Sequence, residues 1–110
     1  MDTTFEVLAE PSRRLILDSL LERPHSVGEL VRVLKLSQPG VSRHLRVLRE
    51  AGLVSVRPEG QRRWYELRAE PIGEIDAWIE PYRRYWAERL DGLEQHLDRK
   101  ANKAKRKETS

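Results

Sequence analysis

Side chains able to hydrogen-bond to DNA bases recur between Ser37 and Leu53, in the segment SQPGVSRHLRVLREAGL. Arginine can bridge guanine O6 and N7, glutamine can pair with adenine, and serine can contact a base or a phosphate. Val41, Leu45 and Leu48 follow at spacings of four and three, which places them on one face of a helix. The segment therefore predicts a helix that packs on its own domain and turns a polar face outward. The candidate DNA-contacting residues in it are Ser37, Gln38, Pro39, Ser42, Arg43, His44 and Arg46. For His44, phosphate contact and packing at the helix junction both stay open.

Capping and helix-breaking residues mark where this helix and the helices before it begin and end. Ser37 predicts the N-cap of this helix, and Gly52 ends it. Upstream, Pro11 opens one helix and Pro24 stops it, after a shorter helical stretch that ends at Glu10. A further helix is predicted from the capping-box pattern of Ser26 and Glu29, with an apolar face at Val27, Leu30, Val31 and Leu34.

After Gly52 the apolar residues recur at every second position, as they do in a β-strand. Val54 and Val56 alternate, PEGQ supplies a turn, and WYEL reads as a returning strand, so we predict a β-hairpin. Val54, Val56, Tyr65 and Leu67 are expected to face the core. Arg57, Arg62 and Trp64 then point to solvent or to a partner, and the candidate DNA contacts of this hairpin are Arg57, Arg62 and Arg63.

The C-terminal third carries a heptad-like apolar seam. Ile72, Ile75, Ile79, Tyr82, Trp86, Leu90, Leu93 and Leu97 recur at steps of three and four, and Pro81 is expected to kink or restart the helix. Such a seam exceeds what one small core covers, so we predict a homodimer; the alternative is that it folds back on its own domain. The predicted interface comprises Phe5, Leu8, Ile75, Ile79, Tyr82, Tyr85, Trp86, Leu90 and Leu93.

Composition narrows the class of protein. The 110 residues fit one domain, predicted at 1–98, followed by a basic tail at 99–110 that we expect to be disordered. Residues 37–68 carry seven Lys or Arg against three Asp or Glu, whereas residues 69–98 carry three against eight. There is no cysteine, no apolar run long enough for a membrane and no secretion-signal pattern at the N-terminus, so we expect a cytoplasmic protein without membrane contact.

The order helix, turn, helix, hairpin is that of a mainly α winged helix-turn-helix. The stretch SQPGVSRHLRVLREAGLVSVRPEGQRRWYEL closely resembles the helix-turn-helix and wing of the ArsR/SmtB family of bacterial repressors, and LAEPSRRLILDSLLERP and HSVGELVRVLKL resemble that family's first helices. The resemblance covers roughly residues 3–97. It implies a homodimer formed by the first and last helices, two recognition helices that read a palindromic operator in double-stranded DNA, and repression of the protein's own or a neighbouring operon.

The resemblance also implies which residues would bind a regulatory metal ion. Metal sensors of the family use cysteines near the helix before the recognition helix, or His, Asp and Glu on the last helix. This chain has no cysteine, and Asp91 and His96 are five residues apart with no second histidine after them, so we expect no metal and no cofactor and place the chain in the cysteine-free branch. The alternative is that two dimer-related copies of Asp91, Glu94 and His96 converge on a metal ion. His25 lies in a turn with no obvious partner. An unidentified small-molecule effector at the dimer interface, or relief of repression by a change in protein level, stays open.

Two other classes of function compete with DNA binding as interpretations of the sequence. A protein-interaction winged helix would use the arginines only for solubility, but no acidic residue interrupts the stretch from Ser37 to Arg49. An enzyme is not expected, because the chain has no cysteine nucleophile, no glycine-rich phosphate loop and no paired acid and base.

Overall fold

The computed structural model describes residues 1–109, and the side chains of residues 1–103. The chain divides into two units, Met1–Ile75 and Asp76–Ser110. None of the described helices is long and apolar enough to cross a membrane. The elements are α1 (Asp2–Leu8), α2 (Pro11–Glu22), α3 (Val27–Leu34), α4 (Gln38–Glu50), β1 (Val54–Glu59), β2 (Arg62–Leu67) and α5 (Glu70–Thr109).

The core of the first unit is built from one face of each helix. Val41, Leu45 and Leu48 of α4 are at most 1% exposed, as their spacing predicts. Removal of apolar side chains from water is the dominant favourable contribution to folding. They pack in one cluster with the buried residues of the other elements, Val7, Ile16, Leu17, Leu20, Leu30, Leu53, Val54 and Tyr65.

Serine hydroxyls fix the start of α3 and of α4. Ser26 Oγ accepts a hydrogen bond from the Glu29 N–H (3.2 Å), and Ser37 Oγ accepts one from the Gly40 N–H (3.1 Å). Both N-caps confirm the sequence prediction. The Glu29 carboxylate lies 2.7 Å from Arg23 Nη1. The ion pair thus occupies the group that a reciprocal capping box would turn back to the Ser26 N–H.

The turn between α3 and α4 is very short. Lys35 has a left-handed backbone with φ 55°, which ends α3. Leu36 then packs against the core, and Ser37 begins α4. The turn thus fixes the orientation of α4 relative to α3 through one anchored apolar side chain.

The predicted hairpin is present, formed by the antiparallel strands β1 and β2. Val54 lies opposite Leu67 and Val56 lies opposite Tyr65, and the strands are joined by a two-residue loop that begins at Gly60. Val54 and Tyr65 are buried, and Val56 and Leu67 are half-buried against the core. Gly60 has φ 63°, a conformation that glycine adopts without steric cost. The inward face of the hairpin is therefore the one that the period-two pattern predicts.

His25 extends this small sheet, and the prediction that it has no partner is wrong. The His25 N–H donates to the Tyr65 carbonyl (3.1 Å) and the Tyr65 N–H donates to the His25 carbonyl (2.8 Å). The His25 side chain is buried, with Nδ1 2.8 Å from the Arg23 carbonyl oxygen, to which it donates. This pairing ties the base of the hairpin to the segment that precedes α3.

Helix α5 differs from prediction at two places. It is one continuous helix that contains Pro81, so the helix does not restart at that residue, and the predicted kink stays a prediction. A proline removes one backbone donor, and the other helical hydrogen bonds can span that gap. Residues 99–109 are helical where we predict a disordered tail; alanine, lysine and arginine are good helix formers despite the charge. Ser110 lies outside the described residues, and the domain boundary after residue 98 stays a prediction.

Candidate nucleic-acid interface

The N-terminal turn of α4 is shaped by three small or rigid residues. Ser37 caps it, Pro39 stands in its first turn where a missing N–H costs nothing, and Gly40 donates to the cap. A Cβ on Gly40 would lie 2.9 Å from Ser37 Oγ, so a larger residue would push the cap away. Because Pro39 has no N–H, the Gly40 N–H donates to Ser37 Oγ and the Val41 N–H donates to the Ser37 carbonyl (3.0 Å), this turn attracts a phosphate chiefly through the positive end of the helix dipole.

The outward face of α4 carries the polar residues that the sequence predicts. Arg43 and Arg46 are exposed, and neither forms an ion pair with any residue whose side chain the structure describes. Both guanidinium groups are therefore available to an external acceptor. The other exposed predicted residues on this helix and its cap are Ser37, Gln38, Pro39 and Ser42.

Arginines of the hairpin are exposed as well, but one of them is already paired. Arg57 Nε lies 3.1 Å from the Glu66 carboxylate on the outer face of the hairpin. Arg62 and Arg63 are exposed at the start of β2, and because side chains alternate along a strand they point to opposite faces. The Glu66 carboxylate therefore offsets part of the attraction of Arg57 for a phosphate, whereas the two arginines at the tip form no ion pair with any described side chain.

His44 is placed at the helix junction. It is half-buried, and its Nδ1 accepts a hydrogen bond from Arg13 Nε at 3.4 Å. Burial, together with the positive charges of Arg13 and Arg43, lowers the pKa of the His44 imidazole, against an opposing effect of Glu10. Burial thus favours the neutral imidazole, which accepts the hydrogen bond from Arg13, and His44 is less exposed than Arg43 and Arg46 on the outer face of α4.

Two arginines of α2 bind the C-terminal end of α1, and one of them, Arg13, also contacts α4. Arg13 donates to His44 and also to the Val7 carbonyl (3.4 Å). Arg14 Nη1 donates to the carbonyl oxygens of Leu8 (2.6 Å) and Ala9 (3.2 Å), which closes the C-terminus of α1. Their i, i+1 positions on a helix gave no periodic signal, so only the tertiary arrangement shows this role.

The residues predicted for a dimer interface fall into exposed and half-buried groups. In the first unit, Phe5 is 38% exposed, whereas Leu8 and Ile75 are half-buried and Leu8 packs against the core. In the second unit all of the predicted residues are exposed by 37% to 66%: Ile79, Tyr82, Tyr85, Trp86, Leu90 and Leu93.

The second unit also contains the candidate metal ligands Asp91, Glu94 and His96. No group of three or more His, Cys, Asp or Glu within the described part of the chain is placed to hold a metal ion, and this includes Asp91, Glu94 and His96. The expectation of no metal stays a prediction.

Together, the α3–turn–α4 unit, the hairpin that follows it and the unpaired basic face of α4 define a winged helix-turn-helix DNA-binding protein. Residues 10–56 match the model of the family described as "Bacterial regulatory protein, arsR family". The chain is 42% identical over 97 residues to the HTH-type transcriptional regulator Rv2034 of Mycobacterium tuberculosis, covering 88% of each chain. The chain belongs to the arsR family of bacterial regulatory proteins, which confirms the resemblance, and it is a DNA-binding transcriptional regulator.

Other relatives differ in the direction in which they regulate. The transcriptional repressor SdpR of Bacillus subtilis is 29% identical over 72% of this chain and 88% of its own. The transcriptional activator HlyU of Vibrio cholerae is 40% identical over 76% of this chain and 74% of its own. Among solved structures, an ArsR family transcriptional regulator superposes with a TM-score of 0.68 at 27% identity, covering 78% of this chain and 94% of that one. This similarity confirms the winged helix architecture.

Proposed function

We propose that the chain is a sequence-specific repressor that binds a palindromic operator as a homodimer. Helix α4 lies in the major groove in each half-site, and the hairpin contacts the flanking backbone or minor groove. The observation that carries the proposal is the outward face of α4, where Arg43 and Arg46 are exposed and free of ion pairs with any described side chain.

The residues divide by the contact that each can make. Gln38, Ser42, Arg43 and Arg46 have side chains that read base edges. The Ser37 cap and Pro39 hold the N-terminal turn of α4 against a phosphate. Arg57, Arg62 and Arg63 bind the backbone through charge, which gives affinity with a strong dependence on salt and little sequence preference. His44 supports α4 from behind through Arg13.

A homodimer is supported by the apolar residues that each unit leaves exposed. Phe5 on α1 and the row Ile79 to Leu93 on α5 are large side chains of the kind that anchor protein interfaces. A twofold axis then relates two α4 helices, which explains why a palindromic site with half-sites about one helical turn apart is expected. The protein acts in the cytoplasm, where the DNA lies, and no catalytic step is assigned to it.

Repression is the simplest consequence of this binding mode, because a dimer on an operator excludes polymerase from an overlapping promoter. An unidentified small molecule can relieve it if it binds better to the DNA-free form than to the DNA-bound form. The exposed aromatic side chains of α5 are of the type that binds such a ligand, and the absence of cysteine argues against a thiol signal.

The test is selection of bound fragments from a random DNA pool with the purified full-length protein, followed by footprinting. We expect enrichment of an inverted repeat, protection of two half-sites, and a reporter whose expression falls when the protein is produced. Activation of the reporter would overturn repression and leave DNA binding intact. Absence of enrichment above scrambled DNA would overturn the proposal and favour the protein-interaction alternative.

A further inference from the structure

A groove in the first unit separates the N-terminal part of α3 from the start of β2. Its volume is about 610 Å³, which lies within the range of about 300–1,000 Å³ that is usual for small-molecule sites. One wall is the first turn of α3 together with Arg32, and the other runs from the turn of the hairpin to Tyr65. The backbone hydrogen bonds between His25 and Tyr65 (3.1 and 2.8 Å) tie the second wall to the segment that precedes the first.

Positive charge dominates the lining of this groove. Arg32 of α3 and Arg62 and Arg63 of β2 line it, and all three are exposed. None of them forms an ion pair with any residue whose side chain the structure describes. Guanidinium groups pair with carboxylates and phosphates through two parallel hydrogen bonds, so three such groups around one groove favour an anion.

The carboxylate that also lines the groove, that of Glu29, is already paired. It is 16% exposed and lies 2.7 Å from Nη1 of Arg23. The contact with Arg23 is the main reason why the pKa of Glu29 lies below its ordinary value, so this carboxylate stays ionised beside Arg23. Its charge is therefore balanced by an arginine other than the three that line the groove, and these three keep their attraction for an external anion.

Part of the lining is apolar and fixed in place. Val27 packs against the core, and Tyr65 is 8% exposed. A Cβ on Gly28 would come no closer than 4.0 Å to a side chain outside its two chain neighbours, so space stays open beside the first turn of α3. A ligand can therefore lay an apolar ring or chain against this wall and direct its charge to the arginines, which is the usual composition of a small-molecule site.

Arg63 faces this groove and not the outer face of the hairpin. Because side chains alternate along a strand, Arg63 shares a face with Tyr65, which is buried against the core. Arg57 lies opposite Trp64 on the other face, where it pairs with Glu66. An anion in the groove can thus engage Arg63 from the inner side, and an arginine engaged in this way is less available to a DNA phosphate.

We infer that this groove binds a small organic anion, a carboxylate or a phosphate ester with an apolar ring or chain, and that the bound anion competes with DNA for the arginines of the hairpin. Arg32 and Arg63 bind the charged group, and Val27, Gly28 and Tyr65 contact the apolar part. The effector of the proposed function thus receives a chemical class and a place in the first unit. The competition with DNA rests on the proposed function, whereas the binding of the anion does not.

Binding is tested without DNA, on the full-length protein, with phenyl phosphate as the probe and benzyl alcohol as its uncharged control. Two-dimensional NMR of the backbone amides follows each titration. We expect phenyl phosphate to shift the amide signals of Gly28 and Arg63 with a saturable curve, and benzyl alcohol to leave them in place. Shifts of similar size at exposed arginines outside the groove, such as Arg46 and Arg84, would show an unspecific anion effect and overturn the inference.

Two variants change the groove in independent ways. Arg32→Gln removes one charge, and Gly28→Leu fills the open space; leucine is a better helix former than glycine, so this change should not unfold α3. We expect each variant to raise the dissociation constant of phenyl phosphate about threefold or more. Arg84→Gln, which removes the same charge from α5, should change it little. Thermal unfolding confirms that each variant is folded, and an unchanged dissociation constant in either folded variant would overturn the inference.

Competition is measured on the selected operator at constant ionic strength. Saturating phenyl phosphate should raise the dissociation constant of the natural protein for the operator about three- to tenfold, and that of Arg32→Gln and Gly28→Leu much less. An equal rise for all three proteins would show that the probe acts as a salt, and no rise for the natural protein would show that the anion does not compete; either result overturns the competition.

The remaining outcomes separate this inference from the proposed function. Weaker operator binding by Arg32→Gln without the probe, together with no binding of phenyl phosphate to the natural protein, would assign the groove to a phosphate of DNA and overturn the inference. A natural protein that binds phenyl phosphate in the groove but selects no operator would overturn the proposed function and leave the anion site standing.

Discussion

Helices α4 and α5 both carry arginines and large apolar residues, but they distribute them in opposite ways. In α4, Val41, Leu45 and Leu48 are at most 1% exposed, and Arg43 and Arg46 form no ion pair with a described side chain. In α5, the apolar seam from Ile79 to Leu97 is 37% to 66% exposed. Its arginines Arg83, Arg84 and Arg89 are held within the helix by Asp76, Glu80 and Tyr85.

This difference indicates which kind of partner surface each helix can bind. The apolar face of α4 is completed by its own domain, so its remaining interactions are polar and require an acceptor such as DNA. Three arginines of α5 have partners within the helix, whereas its large apolar side chains are exposed, so the surface that distinguishes it from α4 is apolar and fits another apolar surface. The exposed arginines of α4 and the exposed apolar side chains of α5 thus suit two different proposed partners.

The largest expected effect comes from exchanging one leucine in each helix. Leu45→Ala should lower the free energy of unfolding by about 2–5 kcal/mol, because it removes a fully buried side chain and leaves a cavity. Leu90→Ala should lower it much less in dilute solution, because that side chain is 46% exposed in one chain. Urea denaturation at a low protein concentration measures both.

The effect of Leu90→Ala on the free energy of unfolding should depend on protein concentration, whereas that of Leu45→Ala should be large at every concentration. At high protein concentration, Leu90→Ala should become destabilising, because dimerisation adds stability by mass action and the variant weakens the dimer. An equal loss for both variants at every concentration would show that Leu90 is packed within the monomer, and the contrast between the two helices would not hold.

Structural features that depend on a short stretch of sequence were predictable. Spacings of three and four located the buried face of α4, the serines before Gln38 and Val27 gave both N-caps, and the alternation of Val54 and Val56 gave the inward face of the hairpin. Each of these features depends on a few neighbouring residues, so the physical cause is visible in the sequence itself.

A smaller effect is expected at the hairpin. Glu66→Gln should free Arg57 and remove a negative charge near the DNA backbone, which should tighten operator binding about two- to fivefold at low salt. The gain should shrink as salt rises. Glu88→Gln, which removes the same charge from α5, is the control. Weaker binding by the Glu66→Gln variant would mean that the Arg57–Glu66 pair holds the hairpin in shape for DNA.

Contacts between distant segments were not predictable. The backbone pairing of His25 with Tyr65, the hydrogen bond of Arg13 to His44 and the Arg57–Glu66 pair each depend on how two elements meet in space. The continuity of α5 through Pro81 was not predictable for another reason. A proline removes one backbone hydrogen-bond donor, and the hydrogen bonds of the long helix on either side of it outweigh that loss. The sequence thus predicted which polar side chains lie on the outer faces of α4 and the hairpin. It did not predict the hydrogen-bond and ion-pair partners of the candidate site residues.

The smallest expected effect concerns pH. The pKa of His44 is lowered from its ordinary value of 6.5, chiefly by burial, so the unfolded chain binds more protons than the folded chain just below pH 6.5. Stability should therefore fall as pH drops through that window, and level off once the folded imidazole is also protonated. His44→Gln should flatten this part of the curve in urea denaturation between pH 7.5 and pH 5. An unchanged slope in the variant would exclude His44 as the cause.

The central claim is that the exposed face of α4 reads DNA sequence, and it is tested most directly by comparing two arginines. Arg43→Ala and Arg84→Ala are measured by titration against the selected operator and against scrambled DNA at one salt concentration. The account predicts that Arg43→Ala loses about 1–3 kcal/mol of binding free energy on the operator and much less on scrambled DNA, whereas Arg84→Ala changes neither. Equal losses for Arg43→Ala on both sequences, or no loss on the operator, would contradict it.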